Sequence, residues 1–131
     1  MKKNLNLLAL NSGQSIIEVV VALALVAVVI LGLIRVSVSS INNSNFAKDQ
    51  RTATKYAQDG LENARKEKEE HEVIFWTKSG TEEETIGKFK REITYTEVED
   101  NQQMYIEVVV TWTDSRGEHQ SKLETYLTKW K

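Results

Sequence analysis

From residue 16 the chain reads I-I-E-V-V-V-A-L-A-L-V-A-V-V-I-L-G-L-I, nineteen residues with one charge, Glu18, before Arg35 ends the run. At 1.5 Å per residue this stretch is about 28 Å long, close to the hydrocarbon thickness of a bilayer, and it predicts a helix that crosses a membrane once. Beyond Arg35 the apolar positions thin to one face. Phe46, Ala53, Ala57, Leu61 and Ala64 recur at intervals of seven, four, four and three, with Tyr56 alongside, the spacing of an amphipathic helix. The charged, helix-favouring run Arg65-Lys66-Glu67-Lys68-Glu69-Glu70 follows, and the chain has no proline. One helix from about Ser15 to about Glu70 is the prediction. The serines and asparagines of residues 37–45 have poor helix propensity and mark the expected kink or frayed turn, with Gly32 and Gly60 as lesser weak points.

After His71 the period changes from helical to alternating. Val73-Ile74-Phe75-Trp76 is expected as a first short strand, and residues 89–98, 105–113 and 122–130, rich in Thr, Val, Ile, Tyr and Trp, as three more. Asp100-Asn101-Gln102 and Asp114-Ser115-Arg116-Gly117 are hairpin turns between the last three, which makes them an antiparallel meander. In the middle strand Ile106, Val108, Val110 and Trp112 share one face, predicted to meet the helix stripe through Leu61. Residues 78–88 are expected as a linking loop whose Glu82-Glu83-Glu84 is solvated. The fold class is α+β: a long N-terminal helix, its first half transmembrane, packed by its second half on a small antiparallel sheet of about four strands. The divisions expected are 1–13, 14–36, 37–71 and 72–131.

With 131 residues, 40% hydrophobic and 27% charged, there is room for one span and one small domain. The net charge of −2 provides no basic field for nucleic acid or anionic lipid. The chain has no cysteine, which excludes disulfides and thiolate metal sites. Residues 1–13 carry Lys2 and Lys3 and end in the turn-forming Asn11-Ser12-Gly13, so they read as a leader. The lysines place the N-terminus in the cytoplasm and the C-terminal half outside. A secretory signal peptide has a shorter apolar core directly after its charges, whereas ten mostly uncharged residues intervene here. An uncleaved signal anchor is the alternative topology. Both leave Glu18 unexplained.

Gly13-Gln14-Ser15-Ile16-Ile17-Glu18, after a lysine-bearing leader and at the head of a span, resembles the prepilin peptidase site of type IV pilins and type II secretion pseudopilins. Ala57-Gln58-Asp59-Gly60-Leu61-Glu62-Asn63-Ala64-Arg65, Lys90-Arg91-Glu92-Ile93-Thr94-Tyr95, Val110-Thr111-Trp112-Thr113-Asp114 before Gly117, and the terminal Tyr126-Leu127-Thr128-Lys129-Trp130 are similar to PilV-like minor pilins and the minor pseudopilin I. The resemblance implies cleavage after Gly13, N-methylation of the new terminal residue Gln14, and a role for Glu18 in filament assembly. Gln14 stands where many members carry an aromatic residue or Met, and the proline that often kinks the pilin span is missing.

Cleavage would explain the carboxylate. It creates an α-amino group on Gln14, one helical turn from Glu18 and on the same face. In a core of packed helices an unpaired charge costs several kcal/mol, so pairing selects assembly. The resemblance implies that Glu18 meets a neighbour's amine; its simpler alternative is that Glu18 snorkels to the headgroups.

Other candidates are weaker. His71 and His119 are isolated and expected to be solvated, no metal or cofactor signature occurs, and Gly87-Lys88 lacks the rest of a phosphate loop. At least two of Trp76, Trp112 and Trp130 should be core or half-buried. No nucleophile, base and orienting group can be named, so an enzyme is disfavoured. The leading expectation is a structural subunit, processed by the prepilin peptidase and joined to other pilins or pseudopilins through its N-terminal helix, at low copy in initiation or capping of a filament, since identical copies would bring the like charges of Glu82-Glu83-Glu84 together. It would sit in the cytoplasmic membrane before assembly and in an extracellular pilus or periplasmic pseudopilus afterwards. A filament-tip module that binds a surface or a secreted substrate is the alternative. DNA is the least favoured ligand, because loss of Lys2 and Lys3 makes the chain still more acidic.

Overall fold

The computed structural model describes residues 11–99 and 102–129, with side chains from 15 to 98 and from 102 to 129. Most of the expected leader, Asp100 and Asn101 of the first expected turn, and Trp130 lie outside the described residues. The elements are α1 (Asn11–Glu70), α2 (Glu72–Phe75), β1 (Gly80–Ile86), β2 (Phe89–Glu99), β3 (Gln103–Asp114) and β4 (Gly117–Thr128). The chain separates into two units, residues 1–44 and 45–131.

The α+β layout is the pilin-like one expected. In the first unit, α1 is helical from Asn11, so Asn11-Ser12-Gly13 is helix and not a turn. Once the apolar run nucleates a helix, each further residue adds a hydrogen bond for one residue fixed, and weak formers are carried along. The same cooperativity keeps residues 37–45 helical, with no frayed turn there.

In the second unit the strands form one antiparallel meander in the order β1-β2-β3-β4. Ile106, Val108, Val110 and Trp112 are buried on one face of β3, as their alternation predicts, together with Met104. Against them α1 lays Ala53, Ala57, Gly60 and Ala64, all buried, flanked by half-buried Phe46, Tyr56 and Leu61. These side chains are small, so the helix approaches the sheet closely. A Cβ added to Gly60 would lie 3.0 Å from Val108 Cγ1. Gly60 is thus a point of packing and not a weak point.

Two expectations about the sheet need correction. Val73-Ile74-Phe75-Trp76 is no strand: α2 is one helical turn that buries Phe75 and Trp76 and leaves Val73 83% and Ile74 61% exposed. Four apolar residues cannot distinguish strand from buried turn by period alone. The first strand is instead β1, G-T-E-E-E-T-I, which lies where a loop was expected. Its low β-propensity is offset by pairs across to β2: Thr81 Oγ1 lies 3.0 Å from Thr94 Oγ1, Lys90 Nζ 3.0 Å from Glu83, and Glu84 meets Arg91. Gly87, at φ 60°, is the first central residue of the two-residue turn Gly87-Lys88 joining Ile86 to Phe89, a conformation that favours glycine. At the β3–β4 hairpin the Arg116 N–H donates to Asp114 Oδ1 at 2.7 Å, and Gly117 follows at φ 124°. That hairpin sets β4 in register from Gly117, five residues before the strand expected from composition.

Candidate functional site

The first unit carries the residues on which the sequence reading turns. Every described residue from 15 to 41 is exposed, and α1 is long and apolar enough to cross a membrane. Gly13 and Gln14 fall within α1, with side chains outside the described residues. Glu18 lies one turn beyond Gln14, about 6 Å along the axis, and by helical period on the same face. Among the described residues no side chain forms a hydrogen bond or ion pair with Glu18. The next charge along the helix, Arg35, is seventeen residues on, about 25 Å away. The site is therefore a carboxylate on an exposed apolar run of helix, with no cation beside it among the described residues.

The second unit has polar clusters whose charged groups pair within the fold, although the buried Nε of Arg91 has no hydrogen-bond partner. Arg91 is only 8% exposed; it donates to the Tyr56 carbonyl at 3.1 Å and pairs with Glu84. It borders an open cleft of about 200 Å3 whose rim includes Glu67, Glu82, Glu83 and Glu84. These carboxylates are not a bare acidic patch. Lys78 reaches Glu67 at 2.6 Å and Glu82 at 2.8 Å, and Lys90 takes Glu83. Burial works against the charge of Lys78, but its hydrogen bonds to Glu67 and Glu82 raise its pKa well above the ordinary lysine value. Burial also raises the Tyr95 phenol beneath it. No metal-holding group of His, Asp and Glu occurs among the described residues.

His119, expected to be solvated, is half-buried. Its ring lies 5.0 Å from Phe46 and 5.5 Å from Trp112, and its Nε2 is 2.9 Å from Asp114 Oδ1. That hydrogen bond, then the Arg116 N–H, hold the Asp114 carboxyl below its ordinary range. On the outer face of the sheet Lys122 bridges Glu107 at 2.6 Å and Glu124 at 3.4 Å, and the Tyr105 hydroxyl donates to Glu124 at 2.8 Å. The bond to Glu124, aided by desolvation and by Glu107, pushes the Tyr105 phenol up to about 12.

Sequence reasoning brought Gly13, Gln14 and Glu18 together, and α1 places them within two turns. It missed Arg91 and Asp114. Strand alternation contains the signal for Arg91, which falls in phase with Phe89, Ile93 and Tyr95. His71 is exposed as expected, while Trp76 and Trp112 are buried. In comparisons with known proteins, no family model, no curated protein and no solved structure matches this chain.

Proposed function

We propose that this chain is a minor pilin or pseudopilin: a non-enzymatic subunit cut after Gly13 by a prepilin peptidase, methylated on Gln14, and assembled at low copy. It starts or caps a filament made mainly of another pilin. One observation carries the reading. The exposed apolar run of α1, residues 16–34, is long enough to span a bilayer and has a single carboxylate, Glu18, one turn after the residue that cleavage would make N-terminal. An unpaired carboxylate in hydrocarbon costs energy, and the α-amine of Gln14, on its own chain or a neighbour, removes that cost. Before assembly the helix anchors the chain in the cytoplasmic membrane with its N-terminus inside.

Low copy number rests on the resemblance to the minor branch. Repulsion between Glu82, Glu83 and Glu84 of adjoining copies does not add to it, because each of them has a cation partner. The discriminating variant is Glu18→Ala. It should still lose its leader, since Gly13 is intact, yet be depleted from sheared filaments relative to the membrane. Normal incorporation of the variant would contradict the pairing mechanism.

A further inference from the structure

The sheet has two open edges, and they are built differently. On β1, Glu82 and Glu84 lie opposite Ile93 and Arg91, both buried, so their carboxylates stand on the helix-covered side of the edge strand. Charges there obstruct the addition of another strand. On β4 the residues in phase with the core are His119, Ser121, Leu123, Thr125 and Leu127, and no carboxylate or lysine is among them.

The free hydrogen-bonding groups of β4 can be assigned by parity. The Lys129 N–H donates to the Gln102 carbonyl at 2.8 Å, and the register onward to Asp114↔Gly117 is unbroken. Odd residues of β4 therefore exchange hydrogen bonds with β3, and even residues aim N–H and C=O away from it. Thr128 agrees: its carbonyl accepts from Lys68 Nζ at 2.7 Å instead of from β3. The outward groups left for a partner are those of Glu118, Gln120, Lys122, Glu124 and Tyr126.

An apolar strip runs beside this edge. Leu123 and Leu127 are half-buried, as is Leu61 on α1. Leu61 lies seven residues from both Thr54, whose hydroxyl is 3.1 Å from Ser121, and Lys68, so it shares the helix flank that leans over β4.

We propose that β4 is a homotypic docking edge, to which a second copy of this chain adds its own β4 antiparallel about a two-fold axis at Leu123. Charge selects that register from its immediate neighbours. With the axis at Leu123, Lys122 faces Glu124 twice, Gln120 faces Tyr126 twice, and Leu123 faces itself. Moving the axis one residue either way opposes Lys122 to Lys122 or Glu124 to Glu124. A half-residue shift sets odd residues against even ones and mismatches the outward groups. Among axes within one residue of Leu123, only Leu123 itself joins opposite charges and pairs even with even, and it centres the contact on the apolar strip of Leu123 and Leu127, which an axis farther along β4 at Gln120 does not. Lys68 holds the Thr128 carbonyl, which confines the added ladder to residues 120–126. The two-fold turns the partner's residues 45–70 of α1 end for end, so the contact joins oppositely directed copies. It is separate from the packing of apolar helices and does not depend on the pilin reading.

The chain has no cysteine, so engineered ones report the register cleanly. In an antiparallel pair the residue on the axis, in a non-hydrogen-bonded position, has a Cα about 4.5 Å from its twin, within disulfide range. Full-length Leu123→Cys in mild detergent, oxidised gently, should give a covalent dimer several-fold more readily than Lys122→Cys or Glu124→Cys. Mixed Gln120→Cys and Tyr126→Cys chains, altered only at exposed positions, should give the mixed dimer in excess over either homodimer. Adding Lys122→Glu to Leu123→Cys should suppress the dimer, and adding Glu124→Lys as well should restore it. Equal cross-linking at 122, 123 and 124, no dimer from either Leu123→Cys or the 120/126 mixture, or no restoration by the double reversal would each overturn the proposal.

Discussion

Gly60 on α1 lies against Val108 on β3 so closely that one added methyl would stand 3.0 Å from Val108 Cγ1 and 3.4 Å from Arg91 Cδ. Val108 is fully buried and cannot swing aside. Gly60→Ala gains up to about 1 kcal/mol of helix propensity and loses about 1–3 kcal/mol to overpacking. A net loss of about 1 kcal/mol is expected in denaturant unfolding. In a Val108→Ala background the same substitution should become neutral or stabilising, which a double-mutant cycle measures directly.

The Arg91 pair should respond asymmetrically. Glu84 is largely exposed and Arg91 is not. Removing Glu84 leaves a buried guanidinium without its carboxylate, so Glu84→Gln should cost about 1–3 kcal/mol, more than an exposed residue otherwise would. Arg91→Met leaves a solvated carboxylate and removes one hydrogen bond to the Tyr56 carbonyl, but no buried charge remains, so it should cost less than Glu84→Gln. Chemical denaturation of both variants checks the order.

Acid should loosen the sheet in a defined direction. Lys122 and Tyr105 hold Glu107 below its ordinary value of 4.5, and Tyr105 and Lys122 do the same for Glu124. His119 and the Arg116 N–H hold Asp114 below 3.8. A carboxylate with a depressed folded-state pKa contributes stability that is complete above its unfolded value and is lost as pH falls through the folded one. Thermal midpoints should therefore be flat between about pH 5 and about pH 9 and decline below the ordinary carboxylate range. Glu124→Gln should reduce that decline.

What the sequence disclosed and what it hid follow from the length of each signal. The span, the stripe from Phe46 to Ala64 and the alternation of Ile106, Val108, Val110 and Trp112 are long periodic patterns that burial enforces, and all were legible. The first strand was not. Val73-Ile74-Phe75-Trp76 has the composition of a strand but no neighbour to pair with, whereas Gly80–Ile86 has the composition of a loop and gains its partners across the Gly87 turn. Gly60 was read as a lesser weak point of the helix because propensity carries no information about what faces the residue. At the candidate site Glu18 stood out because a lone charge in an apolar run is conspicuous. Arg91 and His119 were hidden because their partners Tyr56 and Phe46 are distant in sequence, and Glu84 lies across a hairpin that was read as a loop.

Intact-mass measurement of the protein extracted from membranes of cells with an active prepilin peptidase tests the central claim most directly. The account predicts a chain that begins at Gln14, lacks residues 1–13 and carries one added methyl group, and predicts that a bulky residue at Gly13 leaves the full-length mass. A wild-type chain that retains residues 1–13 in those cells would contradict it.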